Sequence, residues 1–266
     1  MEKISAYPTH WLETRYPFDS EGRHPVLESQ VLTYLQGLQS PAVVDVGAGY
    51  GANYNYFAPK LTEAVNWHLL EHDPLLIEAM RAIVPRRVNL IEHSLLDISS
   101  AIDLPKMDLL MANAVFDLFS EAQFLTFAKP VFEAKLPMYL SLNYTGMGFE
   151  PENNDDAEMI ALYEAHMQRP QSFGQAMGAE GPEKMKALLT ELGYKVQMAP
   201  SYWHIGPENE VMQSYLLGFM ESAIGEMLRS PEEQARLGDW IAEKRSALSL
   251  GALSMWVSHQ DLWAQV

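Results

Sequence analysis

The stretch Ala42-Val43-Val44-Asp45-Val46-Gly47-Ala48-Gly49-Tyr50-Gly51-Ala52 decides the fold. A short apolar run that ends in glycines reads as a buried strand. Glycines at a strand-to-helix turn let the backbone approach a ligand closely, and the following helix N-terminus adds unpaired N–H groups. The spacing predicts a helix from about Tyr50 to Ala58, stopped by Pro59.

Downstream of this turn, β-rich runs alternate with helical stretches. Trp67–Glu71 reads as a second strand, and Asp73-Pro74 opens a helix with an N-cap and a proline at its first position. Val88–Ile91, Met107–Met111 and Pro137–Leu142 read as further strands, with Ser120-Glu121 capping a helix between the last two. A helix from Pro182 to Leu192 ends at Gly193, a good C-cap, before a sixth strand at Tyr194–Met198. Residues 208–248 read as helical with a second piece starting at Pro231, and the tail Leu253–His259 has β character and is expected as a final strand inside the sheet. This alternation predicts an α/β, Rossmann-like, doubly wound and mostly parallel seven-stranded sheet with helices on both faces and a helical cap. The expected organisation is one domain over 1–266. It comprises an N-terminal helical segment (1–40), a cofactor-binding half (41–142), an insertion or cap over the carboxyl edge (143–181) and a C-terminal half (182–266).

The chain has 266 residues, 48% of them hydrophobic, enough to bury a sizeable core. The absence of cysteine excludes disulfides and thiolate metal sites, and makes a cytoplasmic setting the simplest expectation. The start carries no basic region followed by an apolar stretch, so no signal peptide is expected. A formal net charge of −17 repels phosphate backbones and anionic lipids. Nucleic-acid and membrane partners are therefore not expected; a small-molecule substrate is, in a monomer or homodimer. His166 and His204 have no partner at zinc-motif spacing, so no metal site is expected.

Two cofactor classes fit the glycine turn. Gly47, Gly49 and Ala52 satisfy the dinucleotide fingerprint G-x-G-x-x-G/A, so an NAD(P)-dependent oxidoreductase stays open on the turn alone. Asp45 argues the other way, since a carboxylate two residues before the first glycine would repel a pyrophosphate but favour an ammonium and a sulfonium. With Gly51, the turn D-x-G-x-G-x-G resembles the class I S-adenosylmethionine-dependent methyltransferases. The resemblance covers roughly residues 40–145, and the last strand more weakly.

That resemblance implies S-adenosylmethionine as cofactor, with S-adenosylhomocysteine as product. It implies that Asp45, Gly47, Ala48, Gly49 and Asn53 form the turn site, and that Glu71, with His72 beside it, binds the ribose hydroxyls, a job suited to a carboxylate with two acceptor oxygens. Ser94-Leu95 falls where the family often has an acid on the adenine amino group; Ser94 departs from that pattern, and Asp97 is a substitute. Asn113-Ala114 falls at the methyl-donor pocket and lacks the N-P-P-Y type of motif associated with nucleobase methylation. Arg15, within Trp11–Asp19, is expected to pair with the cofactor carboxylate through its fork of donors.

Methyl transfer is an in-line displacement in which the protein mainly supplies proximity, orientation and sometimes a base. Tyr144, directly after the fifth strand, and His166 are the candidate catalytic residues, with Asn143, Glu150, Tyr163 and His204 as further orienters. The acidic run Glu150–Glu158 reads as acids gathered at a helix N-terminus, where they favour the dipole, rather than as a cation site. Arg169–Gly178 has the glycine content of a loop that closes on a substrate. Three readings follow: a small-molecule methyltransferase, an oxidoreductase, or a methyltransferase-like protein that binds the cofactor without chemistry.

Overall fold

The structure, a computed structural model, describes residues 9–61, 64–171 and 174–266. Two helices open it, α1 (Thr9–Gly22) and α2 (Pro25–Gln36), followed by β1 (Ala42–Val46), α3 (Ala52–Phe57), β2 (Asn66–Glu71) and α4 (Pro74–Ile83). Next come β3 (Asn89–Glu92), the single turn α5 (Ile98–Ala101), β4 (Leu109–Asn113), α6 (Glu121–Glu133), β5 (Met138–Glu150) and α7 (Asp156–Met167). A two-residue pair, β6 (Pro170–Gln171) with β7 (Gly174–Gln175), leads to α8 (Gly181–Leu192), β8 (Lys195–Ile205), α9 (Glu210–Met227), α10 (Pro231–Ser249) and β9 (Ser254–Gln265). Ser172 and Phe173 of the expected closing loop lie outside the described residues.

Seven strands form one sheet in the order β3-β2-β1-β4-β5-β9-β8. The first five are mutually parallel, and β9 runs antiparallel to both of its neighbours. Period-two alternation divides the sheet's residues between its faces. On one face Val43, Leu69, Met111, Tyr139 and Trp263 pack against α2, α3 and α4 through Val31, Phe57 and Met80. On the other, Val44, Leu70, Leu110, Met138 and Leu262 pack against α6 and α8 through Phe124, Phe127, Met185 and Leu189.

Local signals set the helix ends as expected. The Asp73 side chain accepts from Leu75 N–H, the Ser120 side chain from Gln123 N–H, and Gly193 closes α8 at φ 112°. Ser230 and Glu233 form a reciprocal capping box at the start of α10.

One boundary moves. The residues 143–150, expected to begin the cap, continue β5 as strand to Glu150, paired with β9 through two register shifts. Their glycines suggested a loop, but at Gly148 a Cβ would run into the Trp256 indole across the ladder. This extension forms a third core, where Tyr144, Met147, Phe149 and Trp203 meet Trp11 of α1, Met159 of α7, Leu217 of α9 and Trp240 of α10. The sheet's carboxyl edge is thus walled by α1 on one side and α7 and α9 on another.

Candidate cofactor and acceptor site

The turn after β1 is held in a left-handed backbone, with φ of 62° at Gly47, 57° at Gly49 and 78° at Gly51. L-side chains disfavour that region, which is why glycine recurs here. A Cβ on Gly47 would lie 2.8 Å from Val115 Cγ2 and 3.5 Å from Leu95 Cδ1, so the turn also passes close under the chain after β4. A Cβ on Gly49 would lie 3.6 Å from Leu12 Cδ1, which shows α1 folding over the turn. Ala48 N–H donates to Leu70 O at 3.1 Å and anchors the turn to β2.

Asp45 lies beneath this turn rather than upon it, 1% exposed. Its Oδ1 accepts from Asn53 Nδ2 at 2.7 Å, while its Oδ2 has no partner. Burial pushes its pKa up to about 7, and the Asn53 hydrogen bond and the Arg23 charge oppose that rise. Glu71, at the end of β2, has the opposite balance. Oε2 accepts from Gly49 N–H at 2.8 Å, and Oε1 from the backbone N–H groups of His72 and Asp73 at 2.8 and 3.1 Å. Its desolvation is outweighed by the His72 side chain, 2.9 Å away, and by these backbone donors, so its pKa is lowered and the carboxylate stays ionised. The same contact raises the His72 pKa.

Ser94 caps a single turn, its Oγ accepting from Leu96 N–H at 3.2 Å, and the buried Leu95 reaches under Gly47. Asn113 ends β4 in a network. Its Nδ2 donates to Asp19 Oδ2 at 2.9 Å, and its Oδ1 accepts from Ser141 Oγ at 2.8 Å and Arg23 Nη2 at 3.4 Å. Ala114, just beyond the end of β4, and Leu142, at the first register shift within β5, have φ of 53° and 54°. Strained non-glycine backbone of this kind concentrates at functional sites.

Two arginines of the N-terminal segment hold different partners. Arg15 Nε and Nη2 grip the Asp19 carboxylate at 3.1–3.2 Å, so its fork is already engaged within α1. The residue that enters the edge is Arg23, from the link between α1 and α2. Its Nη1 donates to Ser141 Oγ at 2.9 Å, and its guanidinium stacks 4.7 Å from the Tyr56 ring, with Nε buried and unpartnered. Desolvation disfavours its charge, but Tyr139, Asp261 and Asp19 together raise its pKa. A single arginine between Gly22 and His24-Pro25 carries no local motif, so the sequence offered no signal for it.

The two candidate catalytic residues are not brought together. Tyr144 OH donates to Glu164 Oε1 at 3.0 Å, and burial first, then Glu164, push its pKa far above the phenol range, so it stays protonated. His166, two residues further along α7, turns to α9 and contacts Glu226 Oε2 at 3.2 Å. There it lines a surface cleft with Arg169, Pro170 and Glu226. Asn143 braces the β5 bulge by donating to Leu140 O and Gln260 O at 3.0 Å. His204 is exposed on the edge strand β8. The acidic run is structural: Asp156 holds Lys244 and Trp240 Nε1, and Asp155 pairs with Arg236. Among the described residues no cluster of potential metal ligands occurs, and no helix is long and apolar enough to cross a membrane.

No protein-family model and no curated protein sequence matches the chain. Solved structures do. A cyclopropane-fatty-acyl-phospholipid synthase-like protein from Lactobacillus casei aligns over 94% of this chain and 99% of its own, with TM-score 0.57 and 11% identity. The YcgJ protein of Bacillus subtilis aligns over 91% and 99%, with TM-score 0.53 and 10% identity. Phosphoethanolamine N-methyltransferase 2 of Haemonchus contortus, solved with S-adenosyl-L-methionine, aligns over 99% of this chain with TM-score 0.52 and 10% identity; the chain spans 58% of that protein's length. The fold is that of the class I S-adenosylmethionine-dependent methyltransferases.

Proposed function

We propose that the chain is an S-adenosylmethionine-dependent methyltransferase acting on a small molecule. The observation that carries this reading is the pairing of the left-handed glycine turn with the ionised Glu71, which grips Gly49 N–H from the next strand. Strand order supports it. A dinucleotide fold adds its outer strands in the parallel order 3-2-1-4-5-6, whereas here the reversed β9 is inserted between β5 and β8.

The residues present fit the cofactor. Asp45 Oδ2, Asn53 Oδ1 and Arg23 Nε are buried polar atoms without partners around the turn, a pattern that calls for a polar ligand. Gly47, Ala48 and Gly49 would cradle the cofactor's backbone-facing side. Glu71 would take the ribose hydroxyls, Ser94 and Leu95 would face the adenine, and Asn113, Ala114 and Arg23 would hold the amino-acid end. When bound, the cofactor supplies an electrophilic methyl group. The chain's own contribution is to orient an acceptor beside Ala114, in line with that group, and to exclude water there.

Calorimetric titration tests the reading. S-adenosylmethionine and S-adenosylhomocysteine are expected to bind in the micromolar range and NADH not at all. Tight NADH binding with no heat from the other two overturns it. Incubation with methyl-labelled cofactor and diverse cell extracts then separates an enzyme from a cofactor-binding protein without chemistry, the latter giving no labelled product.

A further inference from the structure

Strand β9 carries a single acid, Asp261, and buries it completely, at 0% exposure. Asp261 stands opposite the first register shift of β5, where Ser141 and Leu142 face this one β9 residue. The extra residue of a bulge drops out of the ladder. Leu142, at φ 54°, gives its N–H to Asp261 Oδ1 at 2.8 Å, and Ser201 Oγ of β8 donates to the same oxygen at 2.8 Å. Oδ2 accepts from His24 N–H and from Tyr139 OH, each at 3.0 Å. Donors from β5, β8 and the link between α1 and α2 thus occupy both oxygens.

Two of these donors adjoin the site. His24 follows Arg23, Leu142 follows Ser141, and Arg23 Nη1 donates to Ser141 Oγ at 2.9 Å. Asp261 grips the backbone directly after each member of that contact. Tyr139 OH, a third donor, also interacts with the Arg23 side chain. Burial works against the Arg23 charge, and Tyr139, Asp261 and Asp19 together keep its pKa raised. Asp19 is already held by Arg15, which leaves Asp261 as the acid that balances Arg23 through Tyr139. A brace for the end of the sheet would need only the bonds to Leu142 and Ser201. Those to His24 and Tyr139 reach the arginine, whose Nε is buried without a partner.

We propose that Asp261 is a positioning residue for the amino-acid end of the cofactor. By holding His24, Tyr139 and Leu142 it presets the Arg23 guanidinium, with its unpartnered Nε, for a carboxylate. The proposal rests on the methyltransferase reading, which puts that carboxylate at Arg23, and it gives the reversed strand β9 a part in cofactor selection.

Calorimetry compares S-adenosylhomocysteine with methylthioadenosine, which lacks the amino and carboxylate groups, and the readout is the ratio of their dissociation constants. Tyr139→Phe keeps the ring and removes the bridging hydroxyl. It should cut the preference for S-adenosylhomocysteine about three- to fivefold. Asp261→Asn turns an amide N–H group toward donors and should cut that preference about tenfold. Tyr139→Phe serves alone if Asp261→Asn does not fold. Ser201→Ala removes a donor from Oδ1, the oxygen that does not serve His24 and Tyr139, and should lower the urea midpoint without moving the ratio. In an Arg23→Lys background Tyr139→Phe should change the ratio by less than about twofold, because its effect runs through the guanidinium. No native preference for S-adenosylhomocysteine, an unchanged ratio in Tyr139→Phe, an equal fall in Ser201→Ala, or a full further fall in the Arg23→Lys background overturns the proposal. Failure of S-adenosylhomocysteine to bind the native protein counts instead against the methyltransferase reading.

Discussion

Replacing Asp45 by Asn tests the physical account of the turn most directly. Asp45 is 1% exposed, has one hydrogen bond, and has its pKa raised from 3.8 to about 7, chiefly by desolvation. Below pH ~4 the carboxyl is protonated in both folded and unfolded chains, so it adds no pH dependence. Between pH ~4 and ~7 only the folded chain holds the proton, so raising the pH costs stability, and above ~7 the full cost is present. Three pH units at about 1.36 kcal/mol each set a ceiling of about 4 kcal/mol; relaxation around a buried charge should reduce this to about 2–3 kcal/mol. Asn has the same shape and keeps an oxygen to accept from Asn53 Nδ2, but carries no charge. The measurement is urea denaturation of both proteins at pH 5 and pH 8. Between pH 5 and pH 8 about two of these three pH units are crossed, so the native chain should lose about 1.5–2 kcal/mol more than Asp45→Asn, because other titrating groups cancel in the difference. Identical pH dependence would refute the buried, near-neutral carboxyl. A cationic cofactor over the turn lowers the Asp45 pKa, so S-adenosylmethionine should bind more tightly at pH 8 than at pH 6 in the native protein, and this gain should vanish in the variant.

Glu71→Gln removes a charged acceptor from Gly49, His72 and Asp73 N–H groups and should weaken S-adenosylhomocysteine binding about 10- to 100-fold by calorimetry; unchanged affinity removes Glu71 from the site. Since the Glu71 pKa is lowered by folding, its stabilisation is present above the ordinary glutamate value and is lost as the pH falls through the folded one. Acid unfolding of Glu71→Gln should accordingly be shallower. Gly47→Ala forces a side chain into φ 62° with Val115 Cγ2 2.8 Å from the new Cβ. It should destabilise by about 2–4 kcal/mol in urea, and a cost below ~1 kcal/mol counts against the close approach. Arg23→Lys loses the planar fork at Ser141 and Asn113. It should weaken S-adenosylhomocysteine roughly tenfold while sparing methylthioadenosine, which lacks the carboxylate; equal loss for both places Arg23 elsewhere.

The parts of this fold legible in the residues are those governed by neighbours in the chain. Glycine at three alternate positions after an apolar run specifies a left-handed strand-to-helix turn wherever it occurs, and Asp73, Ser120 and Gly193 end their helices through bonds spanning two or three residues. Glu71 was legible too, because its place at the end of the strand beside β1 follows from β-α alternation. The length of β5 was not. It depends on pairing with β9, whose residues lie more than a hundred positions away, and its glycines mimic a loop until the Trp256 indole that covers Gly148 is in place.

The acceptor side depended still more on tertiary structure. Arg15 and Arg23 are both lone arginines in an acidic segment, and nothing local says that the first closes on Asp19 while the second stacks on Tyr56 and reaches Ser141. Tyr144 and His166 sit near each other in neither sequence nor role, since α7 turns Glu164 to β5 and His166 to α9. Asp117 and His259 had no motif at all. Burial gives them their character, by raising the pKa of the Asp117 carboxyl against the nearby Arg15 charge and lowering that of the His259 imidazole. By itself the sequence determined the turn and the strand–helix rhythm, because those rest on backbone conformation and hydrogen bonds a few residues long. Which side chains lose water together, and so which charges go unpaired, was decided only when β5, β9, α1 and α7 packed.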